Sequence, residues 1–199
     1  MKLLKENDIK EAAKILKDGG IIAFPTETVF GLGVIYDNEA SYDRLIEVKK
    51  RPPEKPFTLM LSSVEDIDKY AYVNEVARKL INKFMPGQFT IILKGKSSLP
   101  DYVISKEGNV GIRVPDYKLV QELIHKVGKP LLVPSANRSG EKPATNSDEV
   151  INNFKSELDA IILGESVSDV PSTIVLVDDE VHIIREGLIT KEEILKEAR

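Results

Sequence analysis

Short apolar runs alternate with segments of helical periodicity along this chain, and that alternation limits the possible folds more than any other feature. The runs at 21–24 (IIAF) and 57–61 (FTLML) are typical of buried strands, and an amphipathic segment follows each of them. Near the end of the chain strands follow one another instead, at 159–164, 172–178 and 180–186. Alternating strands and helices favour a sheet covered by helices, and clustered strands add antiparallel pairs. The sequence therefore predicts an α/β fold with a twisted, open, mixed sheet flanked by helices.

The predicted helices share apolar residues at intervals of three and four. They cover 7–17, 39–49, 74–84, about 119–127, 147–154 and 190–199. Further strands are predicted at 89–95, 109–115 and 129–135. Asn74 is the expected N-cap of its helix, and Thr190 with Glu193 is an expected capping box. Gly19-Gly20 is expected to end the first helix in a left-handed turn.

Length and composition narrow the class of protein. The 199 residues are predicted to form a single domain covering 1–199. A formal net charge of −4 argues against a general nucleic-acid coat, although not against a local basic pocket. The absence of cysteine excludes a disulfide framework and a thiolate nucleophile. MKLLKENDIK becomes charged too early for a signal peptide, and no apolar run reaches membrane-spanning length, so we expect a cytoplasmic protein without a membrane partner.

The common nucleotide and metal motifs are incomplete. GKSS at 95–98 imitates the end of a P-loop, but Thr90 stands where the first glycine belongs. GLGVIY has two glycines of a dinucleotide fingerprint, with Tyr36 at the third position. His125 and His182 have no ligand partners at a suitable spacing. Any chemistry is therefore expected from cations and polar groups on loops.

Polar and cationic residues gather in loops beside the predicted strands. These loops are PTETVFGLG (25–33), VKKRPPEKP (48–56), GIRVP (111–115), PSANRSG (134–140), PSTIV (171–175) and IIREG (183–187). Open α/β sheets bind ligands at strand ends, so these segments are candidate site loops. Lys49 and Arg51 suit phosphate oxygens, since arginine has a planar fork and lysine a point charge. Cations before Pro52-Pro53 are equally typical of a surface helix end, and both interpretations stay open.

Taken together and in this order, these motifs resemble the YrdC-like family, the threonylcarbamoyl-AMP synthases. The resemblance runs from about residue 8 to residue 189 and is to the short, single-domain members. It implies a YrdC-like fold with a concave, positively charged cavity. It also implies a nucleotidyltransferase that joins L-threonine, bicarbonate or CO2, and ATP into L-threonylcarbamoyladenylate and releases pyrophosphate. In the family this product serves the N6-threonylcarbamoyladenosine (t6A) modification of adenosine 37 in tRNAs that read codons beginning with A.

The resemblance assigns roles to the residues that match the family motifs. The residues expected to bind ATP are Lys49, Arg51, Ser135, Asn137 and Arg185, of which Lys49 and Arg51 are also expected to be catalytic. The residues expected to bind threonine are Thr26, Thr28, Arg113 and Ser172. Gly31 and Gly33 are expected to permit a close approach of the backbone or a positive φ. Mg²⁺ is expected to arrive with ATP, and no metal ion is expected to be held by the protein alone.

Three positions depart from the family pattern. Met60 stands where some members have a histidine that contacts threonine, Lys50 stands where glycine is common, and Phe30 replaces a tyrosine. FTLML and PGQFTIILKG also resemble the YciO-like subfamily, although the retained PTET and SAN elements favour the synthase. Two alternatives stay open: a YciO-like paralogue with weak or different adenylating activity, and an RNA-binding module with weak affinity for tRNA. The expected partners are otherwise ATP, L-threonine, bicarbonate and the downstream t6A transferase proteins.

Overall fold

The computed structural model describes residues 1–52 and 56–199, and its strands form one open mixed sheet. The strands are β1 (Lys2–Leu4), β2 (Ile22–Phe24), β3 (Gly31–Ile35), β4 (Leu59–Met60), β5 (Phe89–Lys94), β6 (Asn109–Arg113), β7 (Leu131–Leu132), β8 (Ala160–Ile162), β9 (Thr173–Val177) and β10 (Val181–Arg185). The helices are α1 (Ile9–Lys17), α2 (Glu39–Lys49), α3 (Ile67–Tyr70), α4 (Glu75–Phe84), α5 (Lys118–Val127), α6 (Ser147–Phe154) and α7 (Lys191–Glu197). Within those two described ranges, no helix has the length and apolar character needed to cross a bilayer.

The sheet is mixed, as predicted from the order of strands and helices. Its strands run in the order β1-β8-β2-β3-β7-β4-β6-β5-β9-β10. Parallel pairing joins β1 to β8, β8 to β2, β4 to β6 and β5 to β9, and the remaining neighbours are antiparallel. Many neighbours in the sheet are distant in sequence, so loops from different parts of the chain meet beside it.

Apolar packing covers both faces of the sheet. Around β2, Ile21 and Ala23 belong to one buried hydrophobic cluster, whereas Ile22 and Phe24 belong to another. Successive strand residues point to opposite faces, so the two clusters lie on opposite sides of the sheet. Helices α4 and α7 contribute to the first cluster, and α1 and α5 contribute to the second.

Local sequence correctly predicts several helix ends. The Asn74 side chain accepts a hydrogen bond from the Ala77 backbone N–H at the start of α4. Thr190 and Glu193 form the expected capping box of α7. Gly19 follows α1 with a φ of 87°, the left-handed conformation expected there. These ends depend on contacts between residues close in sequence, which is why the pattern alone is sufficient.

The segment predicted as a loop after β2 is partly a strand. β3 begins at Gly31 and is buried along its whole length between β2 and β7. A β-carbon on Gly31 would lie 2.6 Å from Val133 Cγ1, and one on Gly33 would lie 2.6 Å from Phe24 Cε1. Neither glycine has a positive φ. Gly31 and Gly33 are therefore explained by the close approach of neighbouring side chains and not by a positive φ.

The ends of five strands carry predicted site residues to one place. Thr26 follows β2, Ser135 follows β7 and Ser172 precedes β9. β6 and β10 end at Arg113 and Arg185. All five residues line one cleft, so the strand order brings together residues that are far apart in the chain.

Candidate active site

The cleft at these strand ends has a volume of about 700 Å³, open solvent at its mouth included. Three arginines line it, namely Arg51, Arg113 and Arg185. The hydroxyl side chains that line it are Thr26, Thr28, Thr58, Thr90, Ser135 and Ser172. No carboxylate lies among its described lining residues. Such a lining suits a ligand that carries negative charge and several hydrogen-bonding groups.

The structure brings most of the predicted site residues together. All those predicted for threonine line the cleft, namely Thr26, Thr28, Arg113 and Ser172. Those predicted for ATP that line it are Arg51, Ser135 and Arg185. Lys49 and Asn137 do not line it and instead lie behind the loop that carries Ser135. Seven of the predicted residues thus line the cleft, and the other two can act on it through the loop.

The hydroxyl of Thr26 is fully used within the protein, whereas that of Thr28 keeps an acceptor position. Thr26 Oγ1 donates to the Val29 carbonyl at 2.7 Å and accepts from the Thr28 backbone N–H at 3.0 Å. The two hydroxyl oxygens lie 2.9 Å apart, so Thr28 must be the donor between them. Thr28 Oγ1 in turn accepts from Arg113 Nη1 at 3.0 Å. One lone pair of Thr28 remains for a donor such as an ammonium group.

A buried ion pair with Glu27 orients Arg113. Arg113 Nη2 donates to Glu27 Oε1 at 2.7 Å, and both side chains are more than nine-tenths buried. The Asp116 backbone N–H also donates to Oε1, and Arg113 Nε donates to the Gly87 carbonyl. These contacts leave one N–H on each terminal nitrogen of Arg113. A guanidinium held in this way can receive a ligand carboxylate without first having to be ordered.

Arg185 lies close enough to Arg113 for the two charges to repel. Arg185 Nε and Nη2 donate to the Ser172 carbonyl at 3.0 and 2.8 Å. Ser172 Oγ lies 2.9 Å from Thr90 Oγ1, which fixes this wall of the cleft. Burial lowers the pKa of Arg185, and the charge of Arg113 lowers it further. Within the described ranges no carboxylate forms an ion pair with Arg185, so an anion entering the cleft would relieve this repulsion.

Arg51 enters the cleft from the segment that follows α2. Its Nη2 donates to the Pro56 carbonyl at 3.2 Å, and its guanidinium carbon lies 5.1 Å from the Phe57 ring centroid. Burial lowers its pKa. Lys50, directly after α2, has a φ of 49°, a left-handed conformation that favours glycine. The rest of the predicted proline loop, 53–55, lies outside the described residues.

Lys49 connects the end of α2 to the loop that carries Ser135. The residue is only 2% exposed, and Nζ donates to the Ser135 carbonyl, the Asn137 carbonyl and Asn137 Oδ1 at 2.5, 2.6 and 3.0 Å. Asn137 Oδ1 also accepts from Ser135 Oγ, and its Nδ2 donates to the carbonyls of Arg138 and Glu141. The Asn137 carboxamide is therefore fully used in holding the loop.

The charge state of Lys49 is set by two opposing effects. Burial lowers the pKa of Lys49 to about 7, and the neighbouring charges of Arg51 and Arg138 act in the same direction. The three oxygen acceptors around Nζ favour the ammonium form, because only that form has three N–H donors. Losing the proton would remove one of the hydrogen bonds that hold the Ser135 loop.

A groove continues the cleft along the sheet. The two cavities share Arg51, Pro56, Phe57, Thr58, Thr90 and Ile174. The residues that line only the groove are Ile92, Ser105, Glu107, Asn109, Gly111, Leu176 and Ile184. A β-carbon on Gly111 would meet its nearest neighbours only at 3.7 to 4.0 Å, so packing does not require glycine there. The missing side chain instead widens the groove.

Several residues around the cleft are not predicted from the sequence. Glu27 stands between two predicted threonines, and an acid in that turn is the signal that points to a charged partner. Thr58 and Thr90 lie within apolar runs, where a β-branched threonine is an ordinary strand residue. Thr90 reaches the wall of the cleft because β5 pairs with β9, where Thr90 lies opposite Ile174. Pairing between strands so distant in the chain is not visible in the sequence.

The fold and the cleft define an α/β protein with a small-molecule site built from arginine and hydroxyl side chains at strand ends. The chain belongs to the Sua5/YciO/YrdC family, described as "Telomere recombination", whose family model matches residues 14–187. The predicted resemblance to YrdC-like proteins and the predicted α/β fold class are thereby confirmed.

Individual relatives show how far the similarity extends. A Methanocaldococcus jannaschii protein named "Putative threonylcarbamoyl-AMP synthase" is 36% identical over 192 residues, covering 94% of this chain and 90% of the relative. The crystal structure of P. abyssi Sua5 complexed with L-threonine is 30% identical, with a TM-score of 0.92 over 98% of this chain and 60% of that one. The crystal structure of E. coli YciO is 27% identical, with a TM-score of 0.87, over 94% of this chain and 95% of YciO. The chain thus spans about three-fifths of P. abyssi Sua5 and nearly all of YciO.

Proposed function

We propose that this chain is an L-threonylcarbamoyladenylate synthase that uses L-threonine, bicarbonate or CO2, and ATP, and releases pyrophosphate. The observation that carries the proposal is the arrangement of Arg113, with Thr28 beside it, next to Arg185 in one cleft. A carboxylate site thus adjoins a second cationic site suited to phosphate. The name of the M. jannaschii relative and the L-threonine bound to P. abyssi Sua5 support the same conclusion.

The amino acid would bind at the Arg113 end of the cleft. Its carboxylate receives the two N–H groups of Arg113 that Glu27 and Thr28 leave unused. Its ammonium group donates to the remaining lone pair of Thr28. Thr26 supports this site without contacting the ligand through its hydroxyl, because that hydroxyl is already saturated.

The chemistry needs no covalent intermediate with the protein. The threonine amine, once deprotonated, attacks CO2, or bicarbonate with loss of water, and gives a carbamate. A carbamate oxygen then attacks the α-phosphorus of ATP, and the bond to the pyrophosphate oxygen breaks. Negative charge grows on the phosphoryl and leaving oxygens, so we assign its stabilisation to Arg51 and Arg185, with Mg²⁺ arriving on the ATP phosphates.

The adjoining groove is where we place the nucleobase of ATP. It begins at the residues that it shares with the cleft and is lined by Ile92, Ile174 and Leu176. Arg113 and Asn109 lie four residues apart on the same face of β6, about 13 Å at the rise of a strand. Arg51 lines both cavities, so phosphates held at Arg51 and Arg185 leave the base to extend over Gly111 toward Asn109, beyond the amino acid on Arg113.

In this proposal Lys49 acts through the Ser135 loop. Its amine is surrounded by loop acceptors and does not reach the cleft, so it positions Ser135 rather than contacting a phosphate. The role deduced from the family motif, direct contact with ATP, stays a prediction that ligand-bound coordinates can test.

Incubation with ATP, Mg²⁺, L-threonine and bicarbonate tests the proposed function. We expect threonine-dependent release of pyrophosphate and a threonylcarbamoyl-adenylate detected by mass spectrometry. Omission of threonine should abolish both signals, because the amine is the first nucleophile. A folded protein that binds L-threonine and ATP but forms no adenylate would contradict the proposal.

The product would then pass to the t6A transferase proteins that modify tRNA. The two alternatives make different predictions. An RNA-binding module would bind tRNA with an affinity that falls steeply with salt concentration, because phosphate contacts release counterions. A YciO-like paralogue would adenylate weakly or with another co-substrate. The carboxylate site at Arg113 favours an amino-acid substrate over an RNA-binding module, and the name of the M. jannaschii relative favours the synthase over the paralogue.

A further inference from the structure

Thr58 lies where the cleft passes into the groove, and it lines both cavities. It directly precedes β4, whose Met60 is the register partner of Arg113 on β6. Thr58 and Met60 point to the same face of the sheet, because alternate residues of an extended chain do so. Thr58 Oγ1 lies 4.0 Å from the position that a β-carbon on Gly111 would take. The hydroxyl is therefore beside Gly111, two residues along β6 from Arg113.

The Thr58 hydroxyl has no hydrogen-bond partner among the residues that the structure describes. The backbone that carries it is nevertheless fixed, because the Thr58 carbonyl accepts from the Val133 N–H at 2.9 Å. Thr90 carries the other hydroxyl that lines both cavities, and its Oγ1 already lies 2.9 Å from Ser172 Oγ. At this boundary Thr58 therefore offers a positioned hydroxyl, both a donor and an acceptor, to a ligand.

The part of ATP that reaches this boundary is its sugar. Under the proposed function the phosphates lie in the cleft at Arg51 and Arg185, and the base lies in the groove over Gly111. The ribose joins these two parts, so it lies where the cleft meets the groove. We infer that the Thr58 hydroxyl forms a hydrogen bond with a ribose hydroxyl, so that the site selects ATP over nucleotides that lack this hydroxyl. This inference rests on the placement of ATP in the proposed function.

Two nucleotides that each lack one hydroxyl, 2′-deoxyATP and 3′-deoxyATP, test the inference in calorimetric measurements of Kd. We expect the unmodified chain to bind ATP at least about tenfold more tightly than one of the two analogues, the scale of one lost hydrogen bond. Thr58→Val keeps the branched shape and removes the hydroxyl, so the ratio of the two Kd values should fall to within about threefold of unity. Thr58→Ser keeps the hydroxyl and should keep the ratio. Thermal unfolding of each variant shows whether it is folded.

Pyrophosphate release, measured alongside binding, separates the inference from the function on which it rests. Threonine-dependent release together with equal affinity for ATP and both analogues would overturn the inference and leave the function in place. An unchanged Kd ratio in folded Thr58→Val would also overturn the inference, because Thr58 would then contact another part of the ligand. The expected Kd ratios without any release of pyrophosphate would overturn the synthase function and support the role of Thr58. A folded chain that binds none of the three nucleotides would overturn both.

Discussion

Glu27 and Arg113, which lie 86 residues apart in the sequence, form a buried ion pair with Oε1 and Nη2 2.7 Å apart. The pair joins the turn after β2 to the end of β6 and holds the guanidinium at the cleft. Glu27 itself is absent from the lining of the cleft. Its contribution to ligand binding is therefore to position Arg113, and the same contact makes it important for stability.

Glu27→Ala should lower the free energy of unfolding by about 3–5 kcal/mol, because it leaves the buried charge of Arg113 without its partner. Urea denaturation measures the change. Glu11→Ala is the matched control, since Glu11 pairs with Lys2 at an exposed site where water screens the interaction. Equal losses of unfolding free energy in the two variants would show that burial does not strengthen the contribution of the Glu27–Arg113 pair to stability.

Replacement of either arginine to which we assign phosphoryl-charge stabilisation, Arg51 or Arg185, should slow the reaction. Arg51→Ala and Arg185→Ala should each lose about 2–4 kcal/mol of transition-state stabilisation, the scale of a lost electrostatic donor. Steady-state pyrophosphate release gives kcat/KM for each variant. Arg44→Ala serves as the control, because Arg44 forms an exposed ion pair with Asp159. Near-normal turnover of Arg51→Ala or Arg185→Ala would contradict the assigned role.

The burial of Lys49 should make stability depend on pH. Burial lowers the folded-state pKa of Lys49 from 10.5 to about 7, so the unfolded chain binds more protons at this site between those values. The free energy of unfolding should therefore rise between about pH 7 and pH 10.5, by at most about 1.4 kcal/mol per pH unit, relative to Lys49→Met. Denaturation of both proteins across this range measures the difference. Parallel curves would show that the three acceptors keep the folded-state pKa near its ordinary value.

Gly111→Ala should weaken the binding of ATP without affecting the fold. The added methyl group has no clash with the protein, since its nearest neighbours lie at 3.7 Å or more, but it enters the groove where we place the nucleobase. We expect the KM for ATP to rise by the equivalent of about 1–3 kcal/mol of overpacking, with the KM for threonine unchanged. Gly33→Ala provides the contrast, because its β-carbon would lie 2.6 Å from Phe24 and should destabilise the fold. An unchanged KM for ATP in Gly111→Ala would show that the nucleobase does not bind in this groove.

The parts of the fold predicted correctly depend on neighbours in the sequence. The helix caps at Asn74 and Thr190 follow from residues three positions away. β3 is not predicted, because its two glycines are typical of a turn. The structure shows that glycine is needed there to make room for the Phe24 ring and the Val133 side chain. The short β1 is missed as well, because three residues beside a charged helix show no clear period.

The amino-acid sequence by itself determined the mixed α/β class, most helix positions and the set of polar loops from which the cleft is built. Those features follow from periodicity and from residue types, which act over a few positions. Only the tertiary structure decided which loop residues face the cleft and which support it. Lys49 and Asn137 lie behind the Ser135 loop, and Glu27 lies behind Arg113, because burial and hydrogen bonds between distant segments set where each side chain points.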